Sequence, residues 1–311
     1  MKIWRTYFLI IWIICPFFLC AQKQYRIISY NVENLFHPEH DSLKNDIEFT
    51  PEGNKHWTYY RYKIKAENIA RVIANISKWD TPMIIGLCEI ENDKCLKKIC
   101  WLFKNYNYKY IHYESNDERG IDVALLYQPE LFQIIQSKPL HVELANNDFT
   151  RDILYVEGVY NQIDTLYLML CHLPSQLGGQ KASEWKREKA KAVIQQTTDS
   201  ILREHETAQI VVMGDMNTIP KEDIEGLNNL MLPMQKHRKG THKYQGIWTC
   251  LDQFYVSSAL LERTKANIYD AEWIQEEDKK YLGLRPKRTY VGYRYQNGYS
   301  DHLPIYLDIT N

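Results

Sequence analysis

Four carboxylates stand beside apolar runs that read as buried strands: Glu89 in GLCEIEN, Asp215 in VVMGDMNTIP, Asp252 in CLDQFYVS and Asp301 in YSDHLPIYL. Asn31 ends another such run, Asn217 follows Asp215 by two positions, and His172 and His302 close CH and SDH elements. A carboxylate at the edge of an apolar interior needs a cation, a hydrogen-bond donor or a proton. Four of them together repel one another unless a metal ion neutralises them. Oxygen donors plus an amide suit a hard divalent ion, and Mg²⁺ favours carboxylates together with phosphate oxygens, with Mn²⁺ or Ca²⁺ as alternates. The chemistry indicated is therefore that of phosphate esters. A phosphodiester is anionic and repels hydroxide, so its hydrolysis requires neutralised charge, an aligned water and a proton for the leaving alkoxide.

Taken singly, each residue has a plainer explanation. Asn31 caps a turn, Asp215 to Asn217 forms an ordinary turn, His172 is a satisfied core histidine, and Asp301-His302 lies in a surface loop. The weight rests on their joint occurrence at the ends of successive elements. Residues 24–30 alternate polar and apolar as a strand does. Helical spacing runs over 57–79, and 83–88 (MIIGLC) is a continuous apolar run that fits a central strand. A helix is expected over 92–103, a strand over 120–127, a strand pair over 154–159 and 166–171, and a long amphipathic helix over 182–203. Strands follow at 209–213, 253–256 and 305–309. Interleaved strands and helices predict a layered α/β domain, and ligands bind such domains where strands end and loops begin. No repeat or linker divides residues 22–311, which read as one catalytic domain.

SYNVENLF, GLCEIEN, GIDVALLY, CHLPSQLGG, GDMNTIP, LDQFYVS and SDHLPI occur in the order that characterises the DNase I-like endonuclease/exonuclease/phosphatase superfamily, and the chain resembles its exported bacterial branch over nearly all of 25–309. The resemblance implies a four-layer sandwich, two mixed β-sheets packed face to face with helices outside. It implies metal binding by Asn31 and Glu89 with help from Asp301. Asp215 would orient the attacking water, with Asn217 beside it on the phosphate. His302 would act on the phosphate or as general acid/base, with Asp252 orienting it, and His172 would contact the phosphate or leaving oxygen. That branch usually has Asn-His-Trp-Pro-Ser where this chain has Cys171-His172-Leu173-Pro174-Ser175, a change that leaves the histidine in place. One pairing is added here: Asp122 of GIDVALLY against His172, mirroring Asp252 against His302.

Composition narrows the partners. Residues 1–21 carry Lys2, Arg5 and an apolar run over 7–19 before Cys20-Ala21, the layout of a secretory signal peptide. An exported, periplasmic or extracellular protein with no stable membrane insertion after signal removal is expected, with an uncleaved anchor or lipidation at Cys20 as the alternatives. Removing that segment takes away two basic residues and no acid, which moves the formal net charge from −1 to −3. A globally basic nucleic-acid binder is excluded, so any polyanion contact must be local or metal-mediated. Five cysteines remain, none in a CxxC pair, which removes zinc-site spacing. Two basic, aromatic-laced stretches, 236–244 and 285–295, flank Asp252 and lead to Asp301. Arg288 would track phosphate and Tyr290 would stack on a base, with Ser175 and Arg187 as further substrate contacts. A monomeric endonuclease acting on DNA or RNA is the first expectation. A phosphatase or phospholipid phosphodiesterase, or an inactive phosphate-ligand binder, stands behind it; no apolar loop tip of the lipid-directed kind is evident in the sequence beyond a small one that Trp248 would mark.

Overall fold

The computed structural model describes residues 23–78, 81–145, 148–176 and 183–310. The expected signal segment, Trp79, Ala182 and the Gly178-Gly179 pair lie outside these residues. The strands are β1 (Gln24–Leu35), β2 (Ile84–Ile90), β3 (Lys109–His112), β4 (Asp122–Tyr127), β5 (Phe132–Leu140), β6 (Ile153–Tyr160), β7 (Asp164–His172), β8 (Gln209–Asp215) and β9 (Leu227–Asn229). They continue as β10 (His242–Tyr244), β11 (Ile247–Thr249), β12 (Asp252–Ser257), β13 (Thr264–Ile268), β14 (Gln275–Glu277), β15 (Leu284–Pro286), β16 (Tyr290–Val291), β17 (Arg294–Tyr295) and β18 (Ile305–Thr310). The helices are α1 (Tyr59–Ser77), α2 (Asp93–Leu102), α3 (Glu184–Glu204), α4 (Leu232–Lys236) and α5 (Ser258–Leu261). One six-stranded sheet has the order β13-β18-β1-β2-β4-β3 and the other β5-β6-β7-β8-β12-β9. Each is mixed: β1 pairs parallel with β2 and β7 with β8, among antiparallel neighbours.

Three apolar layers hold four structural ones. Ile84, Cys88 and Val123 of the first sheet meet Leu168, Val211, Met213 and Phe254 of the second in a core between the sheets. Ile28, Ile85 and Leu87 face Ile69, Val72 and Ile73 of α1 on the outer side of the first sheet. Met169, Ile210 and Val212 face Ile194 and Ile201 of α3 on the outer side of the second. The central strands are thus buried on both faces, which is why β2 and β8 read as unbroken apolar runs. Where the sheets come closest, Gly86 sits opposite Met213 and Leu170, and a Cβ there would lie 2.5 Å from the Met213 methyl. α1 opens on Thr58, whose side chain accepts from the Arg61 amide. Among the described residues, no helix is long and apolar enough to cross a membrane. All five described cysteines are free thiols.

Side-chain alternation along the strands decides what reaches the site. In β8, Val211 and Met213 enter the inter-sheet core, so Asp215 emerges on the same side at the strand end. By the same count Leu168 and Leu170 bring His172 there from β7, and Phe254 and Val256 bring Asp252 from β12. Tyr25 and Ile27 do so for Asn31 from β1.

Candidate active site

Register lines up the acidic end of the second sheet. His172 pairs with Asp215 across β7 and β8, and Asp215 with Asp252 across β8 and β12. The approach requires Gly214, whose φ is +132° and whose Cβ position lies 1.8 Å from the Cys171 carbonyl oxygen; any side chain would push the strands apart. From the opposite sheet, Asn31 Nδ2 donates to Asp215 Oδ2 at 3.1 Å and to Glu89 Oε1 at 3.3 Å. Glu89 follows the odd positions Ile85 and Leu87, which face α1, so regular alternation would carry it outwards. A bulge in β2 between Cys88 and Ile90, with Glu89 at φ 68°, turns its carboxylate inward instead. The Asn34 amide then holds Glu89 Oε2 at 2.8 Å.

Asp215 is the centre of the constellation. His172 Nε2 lies 3.6 Å from its Oδ2 and His302 Nε2 lies 3.9 Å from the same oxygen. The Asn217 amide donates to Oδ1 at 2.9 Å. Burial above all, with Asp252 adding, lifts the Asp215 carboxyl to about 7, against His302 and its hydrogen bonds, which pull it down. His302 Nδ1 contacts Asp252 Oδ2 at 2.7 Å, and the Asp252 amide is fixed by Thr241 Oγ1 at 3.1 Å. Burial disfavours the imidazolium of His302, but Asp252, Asp215 and Asp301 outweigh it and hold the ring protonated well above the usual histidine range. His172 is the reverse: burial first, then the charges of Arg151, Arg119 and His302, keep it neutral. His172 Nε2 also lies 3.8 Å from Glu89 Oε1.

The carboxylates of Glu89 and Asp215 converge on the Asn31 amide, whose nitrogen faces them while its oxygen accepts from the Glu33 amide at 3.0 Å. Among the described residues, neither carboxylate has a lysine or arginine as a direct hydrogen-bond partner. Such a set fits a hard divalent ion. A second group, His242, Asp301 and His302, brings three ligand atoms within 4.8 Å. Its chemistry is less suited, because His302 is held protonated and Asp301 Oδ2 already accepts from Arg288 Nη2 at 2.8 Å.

The structure brings together Asn31, Glu89, His172, Asp215, Asn217, Asp252 and His302, and it alters several expected roles. Asp122 does not pair with His172. Both its oxygens accept from Ser115, seven residues earlier, with His112 Nε2 at 3.9 Å, while His172 Nδ1 has no hydrogen-bond partner among the described residues. A partner supplied by the short β3–β4 loop has displaced the distant one. Asp301, expected to help hold the metal, instead accepts from Arg288 Nη2 at 2.8 Å and is a partner of arginine. Asn217 Nδ2 donates to the Leu173 carbonyl at 2.9 Å, which makes it a positioning residue for the loop and for Asp215. Arg187 is buried and braces the same loop through Pro174 O at 3.1 Å and Ser183 Oγ at 2.7 Å; it is not an exposed phosphate contact. Tyr290 is buried too, its hydroxyl donating to Lys55 O and its ring packed by Trp57 and Tyr295, so it forms a wall and not an open stacking platform. Ser175 is exposed, and its carbonyl accepts from Ser183 Oγ at 2.6 Å.

Other residues matter that the motifs did not announce. Lys65 is fully buried, donates to Thr289 Oγ1 and Tyr299 O, and lies 4.0 Å from Glu33. Glu33 accepts from the Thr289 amide at 2.6 Å and approaches Arg288 at 3.5 Å, which ties the segment carrying Arg288 to the turn after Asn31. Burial lowers Lys65 to about 8 against the pull of Glu33, Asp301 and Glu89. A signal was present: Lys65 sits four positions before Ile69 on the apolar stripe of α1. Arg151 is a buried strut, reaching Ile121 O at 3.1 Å, His172 O at 3.4 Å and Asp117 at 3.3 Å.

The sequence profile of the Endonuclease/Exonuclease/phosphatase family matches residues 26–311. No curated protein matches the chain. Among solved structures, truncated Caenorhabditis elegans TDP2 is similar with a TM-score of 0.59 and 18% identity, over 93% of this chain and 98% of that one. D. rerio TDP2 complexed with single strand DNA product has a TM-score of 0.57 and 18% identity, over 93% and 99%. ANGEL2, a 2′,3′-cyclic phosphatase, has a TM-score of 0.61 and 12% identity, over 93% and 95%. At these identities the likeness establishes the two-sheet sandwich, and the profile match across nearly the whole chain makes it a member of the endonuclease/exonuclease/phosphatase family, whose chemistry is hydrolysis of phosphoester bonds.

Proposed function

We propose that this chain is a Mg²⁺-dependent phosphodiesterase that cleaves nucleic acid, and that it works outside the cytoplasm as an exported endonuclease. The observation that carries the reading is Asp215, raised to about 7 and flanked by one neutral and one protonated histidine beside the Glu89–Asn31 donors. Glu89 and Asn31 would hold the ion, which when bound supplies charge neutralisation for the phosphate. Asp215, with a proton affinity near neutrality, aligns and deprotonates the attacking water. His302, positioned by Asp252, donates to a phosphoryl or leaving oxygen. Neutral His172 offers a hydrogen bond on the other flank. A single-stranded DNA product in the D. rerio TDP2 structure supports a nucleic-acid substrate, as do the exposed Lys236, Arg238 and Lys239 next to the site-bearing segment. Export rests on the composition of residues 1–21.

A second reading, a phospholipid phosphodiesterase, is favoured by one observation. Tyr244 and Ile247 at the β10–β11 turn are each 68% exposed, and Leu282 at the β14–β15 tip is 77% exposed. The two tips are joined by Lys243 Nζ donating to Leu282 O at 2.6 Å, and His242 in β10 bridges to His302. An apolar tip of the kind not evident in the sequence therefore stands beside the site, because two short hairpins bring single exposed residues together. The deciding assay incubates purified protein with Mg²⁺, Mn²⁺, Ca²⁺ or EDTA and offers plasmid DNA, RNA, p-nitrophenyl phosphate and phospholipid vesicles, with an Asp215→Ala, His302→Ala control. Metal-dependent cutting of DNA or RNA, absent from the control, is the expected result. Turnover of lipid or monoester alone transfers the function to the second reading or to a phosphatase, and no turnover leaves a ligand-binding protein.

A further inference from the structure

Beside the metal-side wall of the site opens a cleft of about 300 Å³, between Glu33 and Arg288 on one side and Phe49, Lys55, Tyr290 and Val291 on the other. That volume is at the lower end of small-ligand pockets and matches a single ring-bearing unit more than an extended chain. Two lining residues tie the cleft to the reacting centre: Arg288 bonds Asp301, and Asn34 holds Glu89 through its amide.

The lining discriminates between ligands. Lys55 Nζ lies 4.8 Å from the Tyr290 ring centroid, 5.5 Å from that of Tyr293 and 5.6 Å from that of Phe49. It is held there by the Gly292 carbonyl at 2.9 Å and by Glu48 at 3.6 Å. Lys55 and Arg288 offer N–H donors to an anionic tether, while Glu33 in the lining and the paired Glu48 and Asp301 balance their charge. Lys55 already supplies the cation that these three rings share, which disfavours a second cation in the cleft. What remains is a flat, partly apolar ligand on an anionic tether.

We propose that this cleft is a nucleoside subsite that takes the unit esterified to the scissile phosphate, its base against Phe49 and Val291 and its sugar-phosphate towards Lys55 and Arg288. The inference rests on the nucleic-acid reading and specifies where that substrate is held. The test compares three chromogenic diesters with the same leaving group: bis-p-nitrophenyl phosphate and the p-nitrophenyl esters of thymidine 5′- and 3′-monophosphate. At least one thymidine ester is expected to exceed bis-p-nitrophenyl phosphate in kcat/KM by about tenfold, the gain of a remote binding group. Val291→Trp fills the cleft from an exposed position, and Lys55→Met removes the ammonium while keeping the stem. Each should lower kcat/KM for the favoured thymidine ester at least about fivefold more than for bis-p-nitrophenyl phosphate, chiefly through KM. Equal losses on all three substrates, or no thymidine gain in the parent protein that still cuts plasmid, overturn the subsite alone. Competitive inhibition by myo-inositol 1-phosphate but not by thymidine monophosphates also overturns it and assigns the cleft to a lipid headgroup. Failure to cut plasmid or any diester overturns the subsite together with the nuclease reading.

Discussion

His172 and His302 flank the same carboxylate at similar distances, 3.6 and 3.9 Å, yet their surroundings drive them to opposite states. Both are buried, which by itself favours the neutral ring in each case. Around His302 stand three carboxylates, one of them in direct contact, and they restore the proton. Around His172 two carboxylates, Asp215 at 3.6 Å and Glu89 at 3.8 Å, make no close contact of the Asp252 kind, and burial with the charges of Arg151, Arg119 and His302 prevails; its Nδ1 is unpartnered among the described residues. The comparison teaches that the charge gathered by neighbouring strand ends, more than residue type or strand position, assigns an imidazole its role. Environments that push two titratable groups apart also divide the labour of proton transfer between them.

The most severe way to break the comparison is to delete the charged member. His302→Ala should lower kcat by about 10³- to 10⁴-fold at neutral pH, the range of a lost general acid with its electrostatic role, as read with bis-p-nitrophenyl phosphate under saturating Mg²⁺. Asp252→Asn should cost less, about 10²- to 10³-fold, and should also move the pH profile. The sign follows from the raised pKa. His302 keeps its proton through neutrality, so the stability from its carboxylate partners is full below the unfolded value of about 6.5 and fades as pH rises through the higher folded one. Activity falls on the alkaline side as His302 deprotonates and on the acid side as Asp215 protonates near 7. Without the Asp252 charge the folded value drops, so the alkaline limb of kcat must shift to lower pH. An unmoved limb would show that Asp252 does not set the state of His302.

His172→Gln should reduce kcat by about 10- to 10²-fold and leave the alkaline limb in place, because a neutral ring contributes a hydrogen bond and no charge. Arg151→Met is the mildest. It removes donors to the carbonyls of Ile121 and His172, so the protein should lose about 1–3 kcal/mol in denaturant unfolding. Its kcat should fall less than that of His172→Gln. A larger kinetic loss than the histidine variant would mean that Arg151 acts on substrate directly.

The layered fold was legible in the sequence where strands were long and buried. The runs ending at Asn31, Cys88, Cys171 and Met213 alternate or stay apolar because both sheet faces are covered, and they appear as β1, β2, β7 and β8. The edge strand β5 and the small ribbons were not legible: β5 carries Pro139 and half-exposed positions, and β10, β11 and β14 to β17 span two or three residues each, too few for any period to register. The site was legible to the extent that regular alternation delivers it, as for Asp215, Asp252 and His172. It was obscured where backbone irregularity or an unseen loop partner decides. Glu89 reaches the site through a positive-φ bulge, and Asp122 is taken by Ser115, neither of which follows from residue spacing. The exposed apolar tips arise from two hairpins meeting in space.

The most direct test of the account is a ring-nitrogen NMR titration that resolves His172 and His302 in the same sample, assigned with the single-site variants. The account predicts that at neutral pH His302 shows two protonated nitrogens and releases one of these protons only well above the ordinary histidine range, while His172 shows one protonated and one bare nitrogen throughout. Two rings titrating together near the ordinary histidine value would contradict it.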